Sequence, residues 1–150
     1  MSELPIDALA KALAALRADP SCEPSIRSTV FLLTERPDIQ LSPGARLKLR
    51  RGSLHDLMAI AATILPGCSH CSSLCPATIF NSREEHAKCA QFVDAALLNG
   101  TLKRIARPVW VMPDSMQLGA DAYFLCVTCG SIWTLVEPDK QCHGLWSRIA

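Results

Sequence analysis

The sequence predicts an α+β fold in which a helical N-terminal two-thirds packs on a small C-terminal antiparallel sheet. Before Gly100, apolar residues recur at helical spacing behind capping residues, and after it the pattern changes to short strand-like segments. Hydrophobic residues make up 49% of the 150 residues and charged residues 19%, which is enough apolar material to form a core. We therefore expect residues 1–150 to form a single α+β domain.

Prolines, glycines and polar caps delimit the helices. The predicted helical segments lie between Pro5 and Pro20, from Ser25 to Glu35, in a short basic turn up to Arg51, from Ser53 to Leu65, and from Arg83 to Leu98. Proline ends a helix because it lacks an amide hydrogen and clashes with the preceding turn. Ser53 with Asp56, and Ser82 with Glu85, have the spacing of capping boxes, so a helix should begin after each serine.

The sheet is predicted from two strand-like segments that flank a short turn. Asp121–Cys126 and Ile132–Val136 carry aromatic and β-branched residues, and the turn between them makes a hairpin. Residues 102–111 are interpreted as one or two further short strands, and the ordered part is expected to end near Trp146. Core packing is the simpler interpretation of the aromatic residues in this half of the chain. Trp133 could instead pair across the strands with Tyr123 or Phe124 over the metal, and an exposed Trp146 would suit a protein interface.

Eight cysteines are present, and neither a secretory signal nor a membrane-spanning stretch accompanies them. The N-terminus lacks a positive region before an apolar core, and the longest apolar runs are too short to cross a bilayer. We therefore expect the protein to be cytoplasmic. In that reducing compartment, clustered cysteines serve metal binding or catalysis rather than disulfides.

The strongest motif in the chain is Cys126-Val-Thr-Cys129-Gly130. Zn²⁺ prefers four thiolate or imidazole ligands in a tetrahedron, and a tight Cys-x2-Cys turn places two sulfurs on one side of the ion. Gly130 permits the positive φ that such a turn needs, and strand-like segments flank the motif. The sequence predicts a zinc-ribbon-like hairpin here, with backbone amide hydrogens directed at the sulfurs.

A second pair, Cys68-Ser-His-Cys71, lies at the end of a predicted helix. The 54 residues between Cys71 and Cys126 permit the two pairs to meet, because the cost of loop closure grows only slowly with length. We predict one structural zinc site formed by Cys68, Cys71, Cys126 and Cys129. The alternative is that the first pair are ordinary buried cysteines. His70, between them, is expected to be exposed.

Two further metal hypotheses stay open. A second metal site would draw its ligands from Cys75, His86, Cys89, and Cys142 or His143. The simpler interpretation places Cys89 in the core and His86 on the helix surface. An iron–sulfur site would use the run from Cys68 to Pro76, which matches the end of the bacterial ferredoxin pattern but lacks one of its cysteines.

No catalytic motif accompanies the cysteines. Four sulfur ligands leave no open position on the ion, which a catalytic zinc needs. The chain contains no His-x-Glu, no Gly-x-Ser-x-Gly, no phosphate-binding loop and no His-Glu-x-x-His. A dithiol redox pair normally begins a helix, whereas Cys126 and Cys129 lie between two predicted strands. We therefore expect a protein that is not an enzyme.

The charge balance argues against nucleic acid as the main partner, because the formal net charge is only +1. A zinc-ribbon regulator that binds nucleic acid is nevertheless the first rival hypothesis. It would use the basic runs at residues 46–51 and 103–107. A redox or iron–sulfur protein is the second rival.

The C-terminal tail resembles a known family. Residues 123–139 and the Gly-Leu-Trp that follows at 144–146 are similar to the ends of immunity proteins of polymorphic and type VI secretion toxins. The resemblance is carried by Cys126, Cys129, Gly130, Trp133, Pro138 and Asp139. It implies a cytosolic bacterial protein that binds and blocks one toxin, in which zinc holds the shape of the binding surface.

Overall fold

The computed structural model describes residues 4–75, 79–111, 121–139 and 143–150. These ranges contain six α-helices and a four-stranded antiparallel sheet near the C-terminus, which confirms the predicted α+β class. The chain divides into two compact units, one up to Pro66 and one from Gly67 to Ile149. The expectation of a single domain stays a prediction. Within the described ranges, none of the helices is long and apolar enough to cross a membrane.

The first unit is helical. α1 spans Pro5–Ala18, α2 spans Glu23–Thr34, α3 spans Pro43–Arg51 and α4 spans Leu54–Ile64, with a short 3-10 helix at Pro20–Cys22. Ser42 accepts a hydrogen bond from the amide of Ala45, so the short basic turn expected here is a complete helix. Ser53 and Asp56 form the predicted capping box at the start of α4. The inner faces bury Leu9, Leu13, Leu16, Val30, Leu49, Leu57 and Met58.

Two arginines of α3 are engaged within this unit. The Arg46 guanidinium donates hydrogen bonds to the carbonyl oxygens of Thr34 and Ile39, which closes the loop between α2 and α3. Arg50 lies over the ring of Phe31, with 4.5 Å between the guanidinium carbon and the ring centroid. Both arginines belong to the basic run proposed above for nucleic acid, and their contacts favour a role inside the protein for at least Arg46.

The second unit packs one long helix against the sheet. Its elements are α5 (Ser69–Ser72), α6 (Arg83–Leu98), β1 (Leu102–Ile105), β2 (Asp121–Cys126), β3 (Ile132–Val136) and β4 (Leu145–Arg148). The strands are antiparallel neighbours in chain order, β1-β2-β3-β4. α6, β2 and β3 have the bounds that the sequence predicts. α6 begins after Ser82, whose hydroxyl accepts a hydrogen bond from the amide of Glu85.

One face of the sheet forms a core with α6. Phe124 pairs with Trp133, and Leu135 pairs with Trp146, so the side chains within each pair lie on the same face. The rings of Trp133 and Trp146 stack with their centroids 5.0 Å apart. The buried residues of α6 in this core are Cys89, Val93 and Ala96.

The ordered part does not end near Trp146 as predicted, because a fourth strand, β4, runs on to Arg148. Trp146 lies inside β4 and is 1% exposed, which confirms core packing and excludes the alternative of an interface aromatic. β4 was missed because it has only four residues, two of them polar, and follows directly after Gly144. Residues 102–111 contain a single strand, β1, and the chain turns where the Val111 amide bonds the Pro108 carbonyl oxygen.

A disulfide joins Cys75 to Cys89, with their Cα atoms 5.4 Å apart. It ties the segment after α5 to the core face of α6, and both cysteines are buried. The sequence-based expectation that every cysteine is reduced is therefore wrong for this pair. The pairing depends on which face of α6 turns toward the preceding loop, and the spacing of 14 residues does not reveal this.

Breaking this disulfide should lower the free energy of unfolding by about 3 kcal/mol, because the bond closes a loop of about 15 residues in the unfolded chain. Denaturant unfolding of the wild type with and without a thiol reductant measures the effect. A Cys22→Ser variant should differ from the wild type by less than about 0.5 kcal/mol, since Cys22 is a free cysteine. Equal unfolding free energies with and without reductant would contradict the prediction.

Candidate metal centre

Four cysteine sulfurs from two distant segments meet in the second unit. The Sγ atoms of Cys68, Cys71, Cys126 and Cys129 all lie within 4.8 Å of one another. The separation is 3.7 Å between Cys68 and Cys71, 3.5 Å between Cys68 and Cys126, and 3.6 Å between Cys71 and Cys129. The structure thus brings together the four residues that the sequence predicts as ligands.

The β2–β3 hairpin positions Cys126 and Cys129. The Gly130 amide donates to the Cys126 carbonyl oxygen at 2.9 Å, and the Cys126 amide donates to the Ser131 carbonyl oxygen at 2.9 Å. Gly130 has a φ of +77°, a conformation that other residues rarely adopt, which agrees with its predicted role in the turn. These bonds curl the loop so that both sulfurs point to the same side.

A short helical turn positions the other pair. Cys68 lies directly before α5, and its carbonyl oxygen accepts a hydrogen bond from the Ser72 amide at 3.1 Å. Cys71 lies inside α5, three residues later, where one turn of helix returns its sulfur toward that of Cys68. His70 is exposed, as predicted, and does not belong to the group of clustered side chains. The sequence predicted that Cys68 and Cys71 lie together at a turn, but it did not predict that the turn is helical.

Three of the six separations between the sulfurs match a single tetrahedral ion, and all six are within 4.8 Å. Zinc–sulfur bonds of about 2.3 Å at tetrahedral angles place neighbouring sulfurs roughly 3.8 Å apart. The three separations given above fall within about 0.3 Å of that value. Within the described ranges, this is the only group of three or more cysteine, histidine or acidic side chains close enough to hold a metal ion. The four cysteines can therefore bind one metal ion.

The thiols of the cluster differ in proton affinity. Burial raises the pKa of Cys71 to about 12, and burial also raises the pKa of Cys126 even though the amides of Cys129 and Thr128 lower it. Burial raises the pKa of Cys129 too, but hydrogen bonds from the hydroxyl and amide of Ser131 outweigh it and bring that pKa down to about 6. Cys129 is therefore a thiolate at neutral pH, ready to bind a cation.

Ser131, which the sequence analysis missed as part of the site, and Trp133 stand next to the sulfurs. Ser131 is fully buried, and its Oγ lies 3.0 Å from the Sγ of Cys129. The indole N–H of Trp133 is buried, and within the described ranges it makes no hydrogen bond of ordinary geometry. It is nevertheless near enough to the thiol of Cys71 to lower the pKa of that group. Donors of this kind stabilise metal-bound thiolates. The serine directly after Cys-x2-Cys-Gly was the available signal.

The second metal site left open by the sequence does not form among the described residues. Cys75 and Cys89 are bonded to each other, which removes both as ligands. His86 is half-buried on α6, and His143 is exposed. Cys142 lies outside the described ranges. The iron–sulfur hypothesis also loses its third cysteine, because Cys75 belongs to the disulfide.

Comparisons with protein-family models, with curated proteins and with solved structures found no match for this chain. The fold and site define an α+β protein with a cluster of four cysteines that lie close enough together to hold a metal ion. The resemblance of the tail to toxin immunity proteins stays a prediction.

Metal affinity should fall as the pH is lowered. Cys71 and Cys126 have raised pKa values and carry protons at neutral pH, so binding a cation must release at least two protons. The metal-bound form holds fewer protons, and acid therefore favours the metal-free form. We expect the dissociation constant to rise about 100-fold per pH unit between roughly pH 8 and 7. Competition with a chromophoric chelator at several pH values measures this, and a pH-independent affinity would contradict it.

Ser131→Ala should weaken metal binding most at acidic pH. Removing the hydroxyl deletes the strongest interaction that lowers the pKa of Cys129, so this thiol should bind its proton at a higher pH. A third proton then has to be released at neutral pH, and the slope of affinity against pH should become steeper there than in the wild type. Ser73→Ala, at an exposed serine just after α5, is the matched control. Identical slopes for Ser131→Ala and the wild type would contradict the assigned role.

Proposed function

We propose that this is a non-enzymatic, zinc-stabilised protein that binds another protein, and that it serves as an immunity protein that inhibits a bacterial toxin. The observation that carries the zinc part is the meeting of four sulfurs within 4.8 Å of one another. Four sulfurs fill the coordination of a tetrahedral ion and leave no position for water or substrate. This supports a structural role for the metal rather than a catalytic one.

Zinc is favoured over an iron–sulfur cluster by the spacing of the sulfurs. Sulfurs bound to different irons of a cluster lie further apart than sulfurs bound to one ion, and here all four sulfurs lie within 4.8 Å of one another. Closed four-sulfur tetrahedra are typical of structural zinc. The proposal places the protein in the cytoplasm, where the Cys75–Cys89 disulfide would depend on its burial for protection from reductants.

The surface proposed for protein recognition lies on α2 and α3 of the first unit. Phe31 is 40% exposed and Leu47 is 59% exposed, so both side chains are accessible to a partner. Arg50 joins them, since it lies over the Phe31 ring and is three residues from Leu47 on the same helix. Leu47 and Arg50 line a shallow depression together with Pro43 and Arg51. We call these four residues and Phe31 the α2–α3 surface.

The composition of the α2–α3 surface supports a protein partner. Aromatic and arginine side chains are enriched in protein interfaces, and apolar neighbours such as Leu47 help to exclude water from them. The basic residues of α3 at this surface, Arg50 and Arg51, favour an acidic patch on the partner. The identification of that partner as a toxin rests on the resemblance of the C-terminal tail, and the rival partner, nucleic acid, would use the same positive charge.

The test is affinity purification of the tagged protein from its native host, followed by binding assays with the recovered partner. We expect an acidic protein partner, and Leu47→Glu should weaken its binding at least about tenfold by placing a charge in the centre of the interface. Leu98→Glu is the matched control, because Leu98 is 91% exposed at the end of α6 and lies outside the α2–α3 surface. The toxin assignment requires in addition that the protein suppress the partner's toxicity in cells.

The outcomes separate the proposal from its rival. Recovery of no protein partner, together with tight and strongly salt-dependent DNA or RNA binding, would overturn the protein-recognition proposal. Equal partner binding by Leu47→Glu and Leu98→Glu would retain a protein partner and reject the α2–α3 surface.

A further inference from the structure

A cavity of about 230 Å³ lies between α6 and the sheet in the second unit. The sheet lines this cavity around Ala122, near the start of β2. Cys126 lies at the opposite end of the same strand, so the cavity is separate from the cysteine cluster. This volume is smaller than that of a typical cofactor site and suits a molecule the size of one amino acid. Its apolar walls come from Val93, Phe124 and Leu135.

The imidazole ring of His86 belongs to the same lining. The ring lies edge-on to Phe80, with 5.8 Å between the centroids, and close to Gly144, where a Cβ would stand 3.3 Å from His86 Cδ2. Its Nε2 atom is buried and has no hydrogen-bond partner in the described part of the chain. Because that atom is not accessible to a water-sized molecule, the ring contributes wall to the cavity and not a polar contact.

Three charged side chains line the cavity as well. Asp94 of α6, Arg104 of β1 and Glu137, just after β3, approach it from three different elements. Among the described residues, none of the three forms an ion pair with another, nor any side-chain hydrogen bond. With one cation and two anions, the lining disfavours a simple carboxylic acid, because both carboxylates would repel it. All three side chains are exposed to solvent, and a ligand that carries an ammonium and a carboxylate would complement their charges.

We propose that this cavity binds a free amino acid with an apolar side chain. Its ammonium would be held by Asp94 and Glu137, its carboxylate by Arg104, and its side chain by the apolar walls. A metal ion is not the ligand, since the acidic groups and His86 are not close enough together to share one. The proposal does not depend on zinc or on a protein partner, and it adds a small-molecule site to the second unit.

The test is calorimetric titration of the full metal-loaded chain with valine, leucine, methionine and phenylalanine. We expect saturable binding of at least one of them. The analogue that lacks the ammonium and the analogue that lacks the carboxylate, such as 4-methylpentanoate and 3-methylbutylamine for leucine, should each bind at least about tenfold more weakly, because each loses a charge-assisted contact. Absence of saturable binding by all four amino acids would overturn the proposal, as would binding of the deaminated analogue with equal affinity.

Variants test whether binding occurs in this cavity. Arg104→Met and Glu137→Gln should each weaken binding of the amino acid at least about tenfold while the cysteine cluster still binds its metal. Lys103→Met is the matched control, because Lys103 neighbours Arg104 on β1 and points to the opposite face of the sheet. Melting temperatures confirm that each variant is folded. Unchanged binding by both folded variants would place the ligand elsewhere and overturn the assignment.

Discussion

The convergence of four sulfurs on one point is the constraint on which the second unit depends. Cys68 and Cys71 lie at the start of this unit, and Cys126 and Cys129 lie at a hairpin more than fifty residues later. A shared metal ion would convert these two short loops into one cross-linked element. Structural metals stabilise a fold in this way because their binding energy is available only when the ligands are assembled.

The packing around the cluster is arranged to support that element. α6 and the sheet enclose a core of apolar and aromatic side chains, and Cys71 and Cys126 are buried within the same core. The Cys75–Cys89 disulfide joins the segment just after Cys68 and Cys71 to α6. Ser131 and Trp133 follow the Cys126–Cys129 turn and place hydrogen-bond donors next to the sulfurs of Cys129 and Cys71. The metal centre and the helix–sheet core are therefore parts of one structure.

Much of this arrangement could be predicted from the sequence because local signals determine it. Capping serines placed the start of α4 and α6, and the Cys-x2-Cys-Gly pattern placed the hairpin and its two ligands. The features that were missed depend on tertiary contacts. β4 is too short to be recognised alone and forms by pairing with β3, and the disulfide needs a particular face of α6 to meet a loop. The cavity beside His86 likewise arises from elements that are distant in sequence.

The most direct test of the account is metal analysis of the natively purified protein, combined with thermal melting in the presence and absence of a strong chelator. The account predicts one zinc ion per chain and a melting temperature that falls by about 10 °C or more when the metal is removed. A metal-free preparation whose melting temperature does not change with the chelator would contradict it.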